Sequence, residues 1–308
     1  MAADKPNGAR NLKTFAWQGI RLTVPSDWEL ISTRGTYEAG YVGLADRSML
    51  RLQLKWDRAR GAAAPSETVT AYVRQLRAKA KKSKTDVKVS RELKLASLKG
   101  KEVECYEWSA DEAGTGMVSH CDECRRVVHV AVLGEPGEAL RHVSRTVFNS
   151  LKDHAEDGAV AWSFFDLAFS VPQRMHLHHH ELKTGCIRMA FRHKGEEMEF
   201  VRVSLAKVLL AGKSLKDWFR EFYGSEFKHS RVDASDATLG THAGLRVKAS
   251  PWLVANPGRL FGRRRVTRVL CWHCEATNRL FIVKHCGREN EEAVFEQAVE
   301  SLKCCPAR

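Results

Sequence analysis

The chain has 308 residues, 44% hydrophobic and 28% charged, with a formal charge of +13. That balance excludes a disordered chain and favours acidic partners, an acidic protein or nucleic acid. Lys and Arg outnumber Asp and Glu by 25 to 18 over residues 1–150 and by 25 to 19 over 151–308, so no single basic tail carries the charge.

Residues 1–12 read as a polar tail. No apolar run approaches the roughly 20 residues of a membrane span, and the N-terminus lacks the apolar core of an export signal. A cytoplasmic protein with reduced thiols is therefore expected. In FAWQGIRLTVPSDWEL, Ile20, Leu22 and Val24 alternate on one face of a strand that Pro25 closes. GYVGLA and MLRLQLKW follow, the second with Leu50, Leu52, Leu54 and Trp56 alternating. Ser66 precedes Val69, Tyr72, Val73, Leu76 and Ala80 at the spacing of one helical face, which makes it the expected N-cap. GKEVECYEW ends at Trp108, an expected core anchor. The hairpin SHCDECRRVVHV comes next, then a helix marked by Leu140, Val143, Val147 and Leu151 and ending in Ser-Leu-Lys.

Beyond the polar HAEDGA (154–159) the order returns. WSFFDLAFSVPQRMHL closes at Val171-Pro172, and GCIRMAF and MEFVRVSLA are strands. Ser214 starts a helix through Leu215, Trp218, Phe219 and Phe222, with Asp217 placed to close a capping box. GLRVKASPW ends at Trp252, the expected second core anchor. WHCEATNRLFIV is a hairpin, and Phe295, Ala298 and Leu302 mark a helix that again ends in Ser-Leu-Lys. The landmarks imply a tandem duplication, with repeats over 13–153 and 160–305. Consecutive strands without βαβ alternation imply α+β repeats, each an antiparallel sheet flanked by helices.

The stretch GIRLTVPSDWEL, followed by strands, a helix, a long hairpin and a final helix, resembles the PsbP-like superfamily. The second repeat departs from it, with Gln173-Arg174-Met175 where Ser26-Asp27-Trp28 stands in the first. The resemblance implies an α/β/α sandwich around an antiparallel sheet. It also implies a binding or assembly role and no particular reaction.

Nine cysteines include two CxxC spacings, Cys121/Cys124 and Cys271/Cys274, the usual sign of a zinc site. Aligning the hairpins places His120-Cys121-Asp122 on His273-Cys274-Glu275, Cys124 on Thr277 and Cys271 on Val118, so the two spacings are not one feature repeated. Residues three apart on a strand also point to opposite faces, which counts against Cys271/Cys274 as a chelate. The reading favours free thiols and less than one tightly held zinc per chain, with zinc as the alternative cofactor. In MHLHHHEL, His176, His178 and His180 would project from one face of an extended segment, as a metal requires.

PGRLFGRRRVTR (257–268) carries Arg259, Arg263, Arg264, Arg265 and Arg268 around Phe261. It reads as a loop suited to phosphates or another acidic partner. A second basic run, from Arg74 to Lys84, ends the first helix. No GxxxxGK[ST], GxGxxG, GxSxG or HExxH is present, and Asp122 and Glu275 beside the hairpin cysteines would raise a thiol pKa. A non-catalytic binding or assembly module is the leading expectation, and a zinc-binding protein or metal-dependent enzyme the alternative.

Overall fold

The computed structural model describes residues 11–59, 61, 64–155, 157–252 and 265–305. It forms two compact units, Met1–Phe165 and Asp166–Arg308.

The first unit runs β1 (Leu12–Trp17), β2 (Ile20–Pro25), β3 (Glu29–Gly35), β4 (Gly40–Ala45), β5 (Leu50–Arg58), α1 (Pro65–Ser83), β6 (Lys88–Ser90), β7 (Glu102–Ser109), β8 (Ala113–Cys121), β9 (Arg126–Gly134), α2 (Arg141–Asn149) and β10 (Ala159–Phe164). β1 pairs with both β2 and β10. β10, assigned by the sequence reading to the second repeat, thus belongs with the first unit. There Trp162 and Phe164 meet Trp17 edge to face, with centroids 5.0 and 5.2 Å apart. The main sheet has seven antiparallel strands in the order β3-β4-β5-β9-β8-β7-β6. Val69 and Val73 of α1 pack on it against Tyr106, Trp108 and Val118.

The second unit runs β11 (Leu167–Pro172), β12 (His176–Lys183), β13 (Cys186–His193), β14 (Glu196–Ser204), α3 (Ala206–Leu209), α4 (Leu215–Tyr223), β15 (Ser230–Leu239), β16 (His242–Pro251), β17 (Arg265–Cys274), β18 (Arg279–Arg288) and α5 (Glu292–Ser301). Its sheet, β12-β13-β14-β18-β17-β16-β15, repeats the strand order of the first. Trp218, Phe219 and Tyr223 of α4 pack on Leu245, Val247, Cys271 and Ile282.

The expected α+β class and α/β/α sandwich are corrected. Among the described residues strands make up 51% and helices 18%, in large antiparallel sheets with a few short helices. The sequence reading missed β3, β6 and β15 because these are edge strands. β15 is exposed at seven of its ten positions, so it carries no apolar alternation to detect. Ser66 is not a cap: Ala64 is, and Pro65 opens α1 without needing a donor. Ser214 does cap α4, its Oγ accepting from the Asp217 amide at 3.1 Å and donating to Asp217 Oδ2 at 2.6 Å. Trp108 is buried, but Trp252 is 62% exposed because β16 stops at Pro251. Among the described residues, no helix is long and apolar enough to cross a membrane.

Candidate metal centres

Each Ser-Leu-Lys is a clamp that returns the chain to its own unit. Ser150 Oγ accepts from the Thr23 amide at 2.7 Å, and Ser301 Oγ from the Ser170 amide at 3.0 Å. Leu151 and Leu302 are buried. Lys152 bridges to Arg21 and Lys303 to Ala168 through backbone hydrogen bonds. The next two residues, Asp153-His154 or Cys304-Cys305, are thereby laid against the tip of a hairpin whose last strand residue is Cys121 or Cys274.

In the second unit this brings together His242, Cys274, Cys304 and Cys305, with one ligand atom from each lying within 4.8 Å of the others. His242 Nε2 is 3.3 Å from both Cys304 Sγ and Cys305 Sγ. Cys305 Sγ is 3.5 Å from Cys274 Sγ and 3.8 Å from Cys304 Sγ. Burial raises the Cys274 thiol pKa, but hydrogen bonds from Thr277, Cys305 and Cys304 outweigh it, so its net shift is downward, whereas burial and the bonds to Cys274 and Cys304 push the Cys305 thiol up to about 12.

In the first unit the same place gathers Cys121, Cys124, Asp153 and His154, again within 4.8 Å. β7 starts with Glu102 opposite His120, and the Gly244–Trp272 pair sets the matching register of β16. Continuing both registers, Lys101 falls opposite Cys121 as His242 falls opposite Cys274. Lys101 Nζ lies 2.6 Å from Asp153 Oδ1. His154 Nδ1 faces both Asp153 Oδ1 at 2.8 Å and Cys121 Sγ at 3.7 Å, while its Nε2 faces Glu123 at 3.1 Å. Cys121 and Asp153 face the same ring nitrogen of His154, so these three do not form a nucleophile–base–acid relay. Burial, then the Asp153 charge, pushes the Cys124 thiol up to about 12.

Cys271 stands apart, fully buried in the core of the second unit. Its strand does point it away from Cys274. His176, His178 and His180 do not share a face. The register shifts between Leu177 and His179, so His176 lies opposite Arg192 and His180 opposite Met189, on the other side of the sheet. Among the described residues they join no group of metal-ligating atoms.

Arg259, Phe261, Arg263 and Arg264 lie outside the described residues. Arg265 donates to the Gly195 carbonyl and to Cys286 Sγ. Arg268 is 4% exposed and donates to the carbonyls of Arg288 and Glu289. It secures the end of β18 and is not open to a partner. A third group, Glu196, His285 and Glu291, is occupied internally: Arg174 and His285 already bind the Glu196 carboxylate.

Sequence reasoning named Cys121, Cys124 and Cys274 but missed His242, Asp153, His154, Cys304 and Cys305 as candidate ligands. The signal for the last four was present. Both Ser-Leu-Lys motifs are followed directly by residues with ligand side chains.

No family model matches the chain, and a search of curated proteins finds no significant relative. Among solved structures it is similar to the apo immunity protein TplEi of the T6SS from Pseudomonas aeruginosa. Identity is 11% over 96% of this chain and 98% of that one, with a TM-score of 0.36. A second likeness, to the WD40 domain of SCAP from fission yeast, has 7% identity over 90% and 94% of the two chains and a TM-score of 0.15. Likenesses this slight carry no argument about this chain.

Proposed function

We propose that the protein is a non-catalytic zinc-binding module, in which one ion joins the chain after α5 to the corner of the second unit's sheet. The observation that carries the reading is the His242–Cys274–Cys304–Cys305 cluster. A tetrahedral zinc with Zn–S of about 2.3 Å and Zn–N of about 2.0 Å needs S···S edges of about 3.8 Å and S···N edges of about 3.5 Å. Four of the six separations, at 3.3 to 3.8 Å, stand close to those edges before any ion draws the ligands into place, and all six lie within 4.8 Å. Four protein ligands leave no open position for water or substrate, which favours a structural ion over a catalytic one. Untagged protein purified under reducing conditions should hold about one zinc per chain after chelator-free dialysis. His242→Ala and Cys274→Ser should each lose it. Elemental analysis decides, and zinc below a tenth of an equivalent in the parent protein would refute the proposal.

An acidic partner, nucleic acid or protein, is supported by the +13 charge and by the basic run on α1. Arg74, Arg77, Lys79, Lys81, Lys82 and Lys84 are all exposed. Replacing Lys81, Lys82 and Lys84 with alanine should flatten the salt dependence of binding to a single-stranded oligonucleotide by about two units. Unchanged salt dependence would remove this helix from the interface, and absence of any binding would leave an acidic protein as the partner to seek.

A further inference from the structure

We propose that the first unit carries a second, exchangeable site for a divalent ion of zinc's class, held by Cys121, Cys124, Asp153 and His154. The inference stands on these residues and does not depend on the reading of the second unit.

Local geometry assembles the donors. Cys121 ends β8 and Cys124 sits in the four-residue turn to β9, where Arg125 takes a φ of 55° and folds the chain back. Two thiols three residues apart on one strand would diverge, but across this turn they reach one point. Asp153 and His154 are delivered by the Ser-Leu-Lys clamp.

The hydrogen-bond inventory then leaves one acceptor over. The Asp153 side chain is wholly buried. Its Oδ1 takes both Lys101 and His154, whereas its Oδ2 is buried without a partner. A buried carboxylate oxygen left unpaired is costly, because it has given up water without a replacement. An ion among these four groups would satisfy it.

Charge points the same way. Two thiolates and one carboxylate carry three negative charges, and a divalent ion with the Lys101 ammonium carries three positive ones. Lys101, bonded to Asp153 Oδ1, thus holds that carboxylate in orientation for the ion.

The surroundings set the mode of binding. Lys101, Cys121, Glu123, Lys152, Asp153 and His154 line one cleft, so an ion here has a path to solvent. Two sulfurs with a carboxylate and an imidazole are also a harder, weaker set for zinc than three sulfurs and an imidazole. The first-unit ion should therefore exchange, while the second-unit ion is retained.

Cobalt(II) tests this directly, because its sulfur-to-metal charge-transfer absorption scales with the number of thiolate ligands. The Cys304→Ser/Cys305→Ser protein, folded by circular dichroism, should still bind one cobalt per chain. Its absorption should match two thiolates, and zinc should displace the ion. In that background Cys124→Thr, which installs the residue of the equivalent turn position Thr277, should weaken cobalt binding by about tenfold or more and halve the absorption. Absence of charge-transfer absorption in the Cys304→Ser/Cys305→Ser protein would overturn the second site. A band that persists unchanged in Cys124→Thr would overturn this ligand set. The converse variant, Cys121→Ser/Cys124→Ser, reports the second-unit centre alone, so failure of either site is seen separately.

Discussion

Cys304→Ser/Cys305→Ser is expected to lower the unfolding temperature of the second unit by roughly 12–16 °C when free zinc stands about a thousandfold above its Kd. An ion held only by the folded state contributes about 4 kcal/mol at that excess. A unit of this size loses roughly 3–4 °C per kcal/mol. Without zinc the same substitutions should cost less than about 0.5 kcal/mol, because Cys305 is exposed and Cys304 only half-buried. The contrast matters more than either value, since serine differs from cysteine mainly in what it can ligate. Hydrogen exchange read on β17 and β18 peptides assigns the transition to the second unit. Chelator added to the parent protein should reproduce the variant there. A second unit whose unfolding temperature ignores zinc would mean that the four donors are close without binding an ion, and the proposed function would fail with it.

The buried strands were legible in the sequence, for a definite reason, although the balance of helix and sheet was not. Ile20, Leu22 and Val24, and Leu52, Leu54 and Trp56, alternate because one sheet face is buried, and all six are at most 2% exposed. Edge strands bury little and left no such trace. Trp252 and Trp108 looked equivalent because both end a strand, but a proline immediately before Trp252 closes its strand one residue too early. The candidate centres divide in the same way. Cys121 and Cys124 announce themselves by spacing. His242, Cys304 and Cys305 are remote in sequence from Cys274 and meet it only because β16 pairs with β17 and the Ser301 clamp redirects the chain. Proximity of that kind follows from register and tertiary closure, which composition does not encode.

Acid is expected to destabilise the first unit through His129. This residue lies on β9 at 8% exposure, its Nε2 accepting from the Tyr106 hydroxyl at 2.6 Å and its ring edge-on to Tyr72 at 4.7 Å. Burial, and secondarily the nearby Lys55 ammonium, hold its pKa down at about 3. In the unfolded chain it returns to about 6.5. Between those values the unfolded state binds a proton that the folded state refuses, so stability falls as pH falls. The contribution is complete above pH 6.5 and is lost progressively down to pH 3. Its slope is about 1.4 kcal/mol per pH unit, or on the order of 4–5 kcal/mol across the window. Carboxylates titrate over part of the same range, so the parent protein must be compared with Tyr106→Phe/His129→Leu. That pair removes the imidazole without orphaning the tyrosine hydroxyl, and its stability should lose one proton's worth of pH dependence between pH 4 and 6. Nuclear magnetic resonance gives the direct reading. The His129 ring should stay neutral in folded protein to below pH 4, and a ring that titrates near 6.5 while β8 and β9 remain protected would show that its burial is not what sets its charge.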